Sequence, residues 1–187
     1  MPDGIYHVAS RGSDRKLLFD RDQDREQFLK QLERIVECFQ LPCLAYCLMG
    51  NHYHLIVQTP DARLSAALRE LNGGYSKYFN RANDRSAHLF RNRFLASLID
   101  SDSYLLVAYR YLAHNPVRAG LCSEPSDWPW SSYRASAGID PSLPPFLSET
   151  MLRGLFGGGE KWRNRYRGFV ESTDTVEPPP GYEKLRF

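Results

Sequence analysis

The apolar positions of this chain change period several times, and glycine or proline stands at most of the changes. Residues 5–12, IYHVASRG, read as a short strand ending at Gly12. Over 20–40, Phe28, Leu32, Ile35, Val36 and Phe39 recur at helical spacing. Acidic residues crowd the start of that segment, where the helix dipole favours negative charge. Pro42 forbids continuation, and CLAYCLMG at 43–50 predicts a strand. Gly50 and Asn51 form a tight-turn pair before a second strand, HYHLIVQT at 52–59, so the two strands predict an antiparallel hairpin. Residues 62–84 predict a long helix with Leu64, Leu68, Leu71, Tyr75, Tyr78 and Phe79 as its apolar stripe. Gly73 and Gly74 inside it cost about 1 kcal/mol each relative to alanine, and serve either a close approach or a kink. HLFRNRFLASLID at 88–100 has strand character. Asp100 or Ser101 can cap a following helix, which Pro116 should end or bend near Asn115.

The first six elements run βαββαβ, the order of a ferredoxin-like α+β fold: an antiparallel sheet with helices packed on one face. A compact unit over 1–135 closes after the tryptophan-rich SDWPWSSY. Residues 136–187 then supply a proline-rich linker, GIDPSLPPFL, and two short helices separated by Gly157, Gly158 and Gly159. VEPPPGYEKLRF follows as an extended tail, and no segment repeats internally.

Composition narrows the class. The 187 residues are 42% hydrophobic and 13% aromatic, enough for a real core and against wholesale disorder. No stretch approaches the roughly 20 apolar residues of a membrane span, and the N-terminus lacks the apolar region of a signal peptide, so a cytoplasmic, nucleoid-associated protein is expected. Cys38, Cys43, Cys47 and Cys122 show neither zinc-ribbon nor dithiol spacing, and Cys43 and Cys47 read as small buried hydrophobes.

The net charge is only +2, but its distribution is uneven. Between Asp61 and Arg93, seven basic residues face three acidic ones, a local +4. KWRNRYR at 161–167 alternates cations with aromatics. Such clusters are ordinarily solvated faces; two of them interleaved with aromatics also suit a phosphate-bearing partner.

The strand GNHYHLIVQ carries the most informative chemistry. Residues two apart on a strand share a face, so His52, His54, Ile56 and Gln58 point one way and Tyr53, Leu55 and Val57 the other. The second set belongs under the helices; the first places two imidazoles on the face those helices leave uncovered. The pair is either a chelate for a divalent metal or two surface or hydrogen-bonded histidines. A metal would need a third ligand, with His7, His88 and the segment AYRYLAHNPVRAG as sources. In that segment Tyr111 and Asn115 stand four apart on one helical face, an amide oxygen beside a phenol.

NHYHLIV followed about fifty residues later by RYLAHNPVRAG, with YFNRA and LFRNRF between, resembles the single-tyrosine transposases of the HUH endonuclease class. The nearer likeness is to their REP-associated, IS200-like branch. It begins at HVASRG, ends near WPWSSY and covers about two-thirds of the chain. The resemblance implies an RRM-like sheet over 1–135. It implies paired metal-binding histidines at His52 and His54, a nucleophilic Tyr111 and a third ligand at Asn115. Three positions depart from the family's pattern: Gly50 where proline is usual, Leu95 where lysine is common, and His114 in place of an apolar residue.

The activity so implied is cleavage and rejoining of single-stranded or hairpin DNA, such as repetitive palindromic elements. It proceeds through a 5′-phosphotyrosine link with Mg²⁺ or Mn²⁺, in a monomer or a homodimer. Arg11, Arg81, Arg91 and Arg93 are the candidate phosphate contacts, although for each alone a solvated arginine is the ordinary reading. Tyr78 and Phe79 could stack bases but suit helix packing, and Trp128 and Trp130 are assigned to packing. KWRNRYR either grips DNA or wraps the core. Two competing readings are a non-catalytic single-strand binding module and a metal-dependent hydrolase that activates water.

Overall fold

A computed structural model describes residues 4–13, 16–91 and 93–172; the tail expected at 176–187 lies outside them. Strand β1 spans Gly4–Arg11, helix α1 Asp22–Phe39, β2 Cys43–Leu48, β3 His52–Thr59, α2 Leu64–Ala82, β4 Leu95–Ile99 and α3 Asp102–Arg118. Three further short helices follow: α4 over Tyr133–Ser136, α5 over Thr150–Leu155 and α6 over Trp162–Glu171. The sheet order is β2-β3-β1-β4 with every pairing antiparallel, the ferredoxin-like arrangement that the element order predicts.

Alternation along the strands sorts the core into two layers. Tyr6, Val8, Tyr53, Leu55 and Val57 pack with Phe28, Leu32, Leu68, Leu71 and Tyr75 of α1 and α2. The Phe28 ring lies 4.7 Å from Tyr53 and 5.2 Å from Tyr75, centroid to centroid. Each such fully buried side chain contributes about 1.5–3 kcal/mol of transfer free energy. Buried Asp24 starts α1 by accepting from the backbone N–H groups of Asp20 and Arg21, at 3.2 and 2.9 Å. Gly74 lets the two helices close up: a Cβ there would meet the Gln31 side chain at 2.9 Å.

The face carrying His52 and His54 is not open. Helix α3 crosses it, packing Leu105, Ala108, Tyr109 and Leu112 on Ala45, Cys47 and Ile56. A register shift between Cys43 and Ala45 turns both Leu44 and Ala45 toward this layer. Helices α1 and α2 share one face as their stripes predict; the second layer comes from α3 and the elements after it.

Ser101 caps α3, its hydroxyl accepting from the Tyr104 N–H at 3.3 Å. The helix continues through Pro116 to Arg118, three residues beyond the stop expected near Asn115. Proline at 116 withholds one N–H from the Leu112 carbonyl, and the helix end is closed by other groups. The Leu121 N–H donates to the Pro116 carbonyl at 3.0 Å and the Gly120 N–H to the Val117 carbonyl at 2.9 Å, with Gly120 at φ +69°.

The C-terminal basic-aromatic segment wraps the core. Trp162, Tyr166 and Val170 are buried against α3. Its three arginines bond within the chain: Arg163 pairs with Glu149, Arg165 donates to the Phe156 and Gly158 carbonyls, and Arg167 to the Ala137 carbonyl, while Lys161 is exposed. Trp128 and Trp130 pack as expected, with the Arg25 guanidinium over both rings and the Trp128 N–H donated to the Leu48 carbonyl. Cys43 and Cys47 are buried free thiols. Among the described residues no helix is long and apolar enough to cross a membrane.

Candidate active site

Pairing of β1 with β3 sets Ala9 opposite His54 and Arg11 opposite His52, so His7, two residues before Ala9, shares the histidine face. All three imidazoles are buried, none more than 1% exposed. His7 Nε2 lies 3.0 Å from His54 Nδ1. The rings of His52 and His54 are 5.1 Å apart and nearly perpendicular.

Helix α3 brings the other two predicted residues onto this pair. The Tyr111 ring stands edge-on to His54 at 5.5 Å and to His7 at 5.9 Å. Asn115, one turn further along, sets its Oδ1 3.4 Å from His52 Nε2. The spacing of four that put a phenol and an amide on one helical face therefore delivers both to the strand.

Burial governs the electrostatics. Desolvation pushes the His54 imidazole down to about 3. It also pulls His52 well below the ordinary value, with the neighbouring His54 and then Arg11 adding to the fall and the Asn115 hydrogen bond opposing it. His7 falls likewise, from burial first and His54 second. All three are neutral at pH 7, the state in which an imidazole offers a lone pair.

Two neutral imidazoles and an amide oxygen are a donor set that suits a divalent cation. His52 Nδ1 is 2.8 Å from Asn51 Oδ1. When Nδ1–H donates there, Nε2 turns its lone pair toward the Asn115 oxygen, and two acceptors so placed are reconciled by a cation between them. Among the described residues no group of three or more histidine, cysteine, aspartate and glutamate side chains could hold a metal, so the set depends on Asn115.

The remaining candidates scatter. Arg11 lies half-buried beside His52. Arg81 is exposed in the last turn of α2, on the opposite face. Arg91 and Arg93 are exposed before β4, with the Arg91 N–H donated to the Arg11 carbonyl at 2.9 Å. His88 is exposed along α2 and joins no histidine. His114 turns away, its Nε2 2.7 Å from the Val170 carbonyl of α6. Phe79 is core and Tyr78 is hydrogen-bonded to Asp24, so the stacking role falls to neither.

Two neighbours of Tyr111 escaped the sequence reading. The Arg118 guanidinium lies 5.2 Å from its ring centroid. The spacing of seven was visible, but a helix ending near Asn115 hides it. Arg110 donates to the Phe169 carbonyl and to the Ser172 hydroxyl, clamping α3 to α6.

The sequence model of the family described as Transposase IS200 like matches residues 2–115, more than half of the chain. The chain belongs to the IS200-like transposase family. Within it, 141 residues are 26% identical to a protein of Haemophilus influenzae described as a REP-associated tyrosine transposase, covering 70% of this chain and 80% of that relative. The fold is also that of a solved REP-associated tyrosine transposase bound to a REP hairpin. The TM-score is 0.61 at 20% identity, over 86% of this chain and 93% of that one.

Proposed function

We propose that this IS200-like transposase cleaves and rejoins single-stranded or hairpin DNA through a covalent bond between Tyr111 and a 5′-phosphate. The observation that carries the reading is the convergence of Tyr111 and Asn115 from α3 on His54 and His52, at 5.5 Å between rings and 3.4 Å between Nε2 and Oδ1.

His52, His54 and Asn115 would hold Mg²⁺ or Mn²⁺, with nitrogen ligands favouring the latter. Bound there, the ion would supply positive charge at the scissile phosphate, making phosphorus more electrophilic. Tyr111 supplies the nucleophile. Its oxygen bonds to phosphorus and loses its proton, while the bond to the 3′-oxygen breaks and that oxygen leaves as a protonated hydroxyl. Arg118, close to the Tyr111 ring, offsets negative charge as it develops there. The tyrosyl ester conserves the phosphodiester's energy, so a later 3′-hydroxyl reverses the step without ATP. Arg11, beside His52, is suited to a phosphate contact. Because Tyr111, His52, His54 and Asn115 are each 4% exposed or less, a DNA strand reaches them only after a covering element moves aside.

Denaturing electrophoresis of labelled hairpin DNA incubated with the protein and Mn²⁺ tests the reading. A protein–DNA adduct that vanishes in Tyr111→Phe is the expected result. Cleavage without adduct would instead identify a water-activating hydrolase, and binding without cleavage a non-catalytic module.

A further inference from the structure

Both ring nitrogens of His52 face an oxygen, and the two separations differ. Nδ1 lies 2.8 Å from Asn51 Oδ1, and Nε2 lies 3.4 Å from Asn115 Oδ1. An N–H donor meets an oxygen most often at about 2.9–3.0 Å and seldom beyond about 3.2 Å. Burial keeps His52 neutral at pH 7, so the ring has one proton to give. The shorter separation therefore places that proton on Nδ1, with Asn51 as its acceptor. The reverse tautomer would set a bare Nδ1 against an amide oxygen at 2.8 Å and stretch its N–H across 3.4 Å. It competes only if Asn51 turns its amide round to present an N–H to Nδ1.

The backbone fixes where Asn51 stands. Met49, Gly50 and Asn51 join β2 to β3, and the Met49 N–H closes the turn by donating to the His52 carbonyl at 2.9 Å. Three segments distant in the chain then pin this turn. The Gly12 N–H donates to the Asn51 carbonyl at 2.9 Å, and the Leu18 and Phe19 N–H groups donate to the Gly50 carbonyl at 2.9 and 3.0 Å. The Leu48 N–H donates to the Trp130 carbonyl at 2.9 Å, while the Trp128 indole N–H donates to the Leu48 carbonyl at 3.0 Å. Gly12 comes this close because it has no side chain: a Cβ there would collide with the Lys16 carbonyl. A side chain carried on so constrained a turn presents its oxygen to one place.

We propose that Asn51 is a positioning residue for the reaction. By accepting the Nδ1 proton it fixes the His52 tautomer whose Nε2 lone pair is directed at Asn115, where the cation would bind. Removing the Asn51 oxygen takes that acceptor away, and the proton then favours Nε2, where Asn115 can accept it. The lone pairs that a cation needs would be tied up in that bond. The inference rests on the metal-assisted chemistry proposed above and adds the group that prepares His52 as a ligand.

Nitrogen-15 NMR of the histidine rings in the metal-free, full-length protein at about pH 7.5 tests the assignment, because protonated and bare ring nitrogens give separate signals. In the unsubstituted protein the His52 proton should sit on Nδ1. Asn51→Ala should move it to Nε2 and leave the His54 signals unchanged, since His54 has its own partner in His7. Asn51→Asp, which can only accept, should keep the proton on Nδ1. Calorimetry on DNA-free protein supplies the second readout. Asn51→Ala should weaken Mn²⁺ binding about 10–100-fold, and Asn51→Asp should restore at least the original affinity. A proton found on Nε2 in the unsubstituted protein would overturn the assignment, and this signal decides even if Asn51→Ala does not fold. A proton that stays on Nδ1 in Asn51→Ala, or an unchanged Mn²⁺ affinity in that variant, would overturn it too. If the unsubstituted protein binds no Mn²⁺, the metal-assisted chemistry falls instead, and the ring signals alone decide the role of Asn51.

Discussion

His7 Nε2 lies 3.0 Å from His54 Nδ1, a hydrogen bond between two buried imidazoles on neighbouring strands. When His54 is the donor, its Nε2 carries the lone pair that a metal requires, so His7 sets the tautomer and orientation of a proposed ligand. Replacing His7 by alanine is expected to weaken Mn²⁺ binding about 10–100-fold, measured by calorimetry on DNA-free protein. Asparagine, which can still accept that proton, should recover part of the loss. Unchanged Mn²⁺ affinity in both variants would remove His7 from this role.

Acid should destabilise the metal-free protein through the same histidines. Burial depresses His7, His52 and His54 in the folded state, so below the ordinary histidine value near 6.5 the unfolded chain binds more protons than the folded one. Stability is complete above that pH and is lost as pH falls toward about 3, the folded value of His54. The loss is at most about 1.4 kcal/mol per pH unit for each histidine. Urea midpoints between pH 7.5 and 4.5 measure the slope, and His54→Gln should reduce it by about one proton.

Arg110 ties α3 to α6 through the Phe169 carbonyl and the Ser172 hydroxyl, with its guanidinium 3.8 Å from the Phe169 ring centroid. Arg110→Ala should cost about 1.5–3 kcal/mol, the worth of hydrogen bonds from a charged donor. Amide exchange in 162–171 should accelerate, and adduct formation should slow because the helix bearing Tyr111 is less firmly seated. An Arg110→Ala protein with normal exchange in α6 would contradict the clamp.

Tyr53 separates the two strand histidines and faces the other way, its hydroxyl donating to Asn72 Oδ1 at 2.7 Å. The Asn72 amide in turn donates to the Ser10 hydroxyl at 3.3 Å. Tyr53→Phe leaves the Asn72 oxygen without that donor and should lower the unfolding free energy by about 1–3 kcal/mol. Because the change lies across the sheet from His52 and His54, Mn²⁺ affinity should hold.

Leu95 is 47% exposed at the start of β4, the position where the family resemblance implies a lysine. Leu95→Lys should shift stability by no more than about 0.5 kcal/mol. It should tighten single-strand DNA binding at low salt and steepen the salt slope by about 0.7, one added phosphate contact. A flat salt response would show that the start of β4 lies off the DNA path.

Much of the sheet was legible because its signals are local. The alternation in HYHLIVQT separates Tyr53, Leu55 and Val57 from His52, His54 and Ile56 whatever the neighbours are, and the two sets do face different layers. The stripes of α1 and α2 are similarly self-contained. The position of α3 was not legible. Its moiety of the site depends on which face of the sheet it crosses, and a helical stripe records only that some face is covered. Pro116 marked a boundary correctly in kind but early in place, since the Gly120 closure carries the helix on to Arg118 and so brings a cation to Tyr111.

KWRNRYR shows the same limit from the other side. Alternating cations and aromatics are compatible with DNA or with a carbonyl-rich protein surface, and only the location of Gly158, Phe156 and Ala137 decided for the latter. His7 likewise needed the pairing of β1 with β3 before it could be set beside His54.

By itself, then, the chain determined the periodicities: which residues share a strand face, which line a helix, and that Tyr111 and Asn115 lie together one turn apart. These follow from backbone geometry within one element. The tertiary structure alone decided which faces meet, burying the imidazoles, turning His114 and Arg110 toward α6 and setting Arg118 over the phenol. Those outcomes depend on the packing of elements distant in sequence, where burial and long-range hydrogen bonds outweigh any local preference.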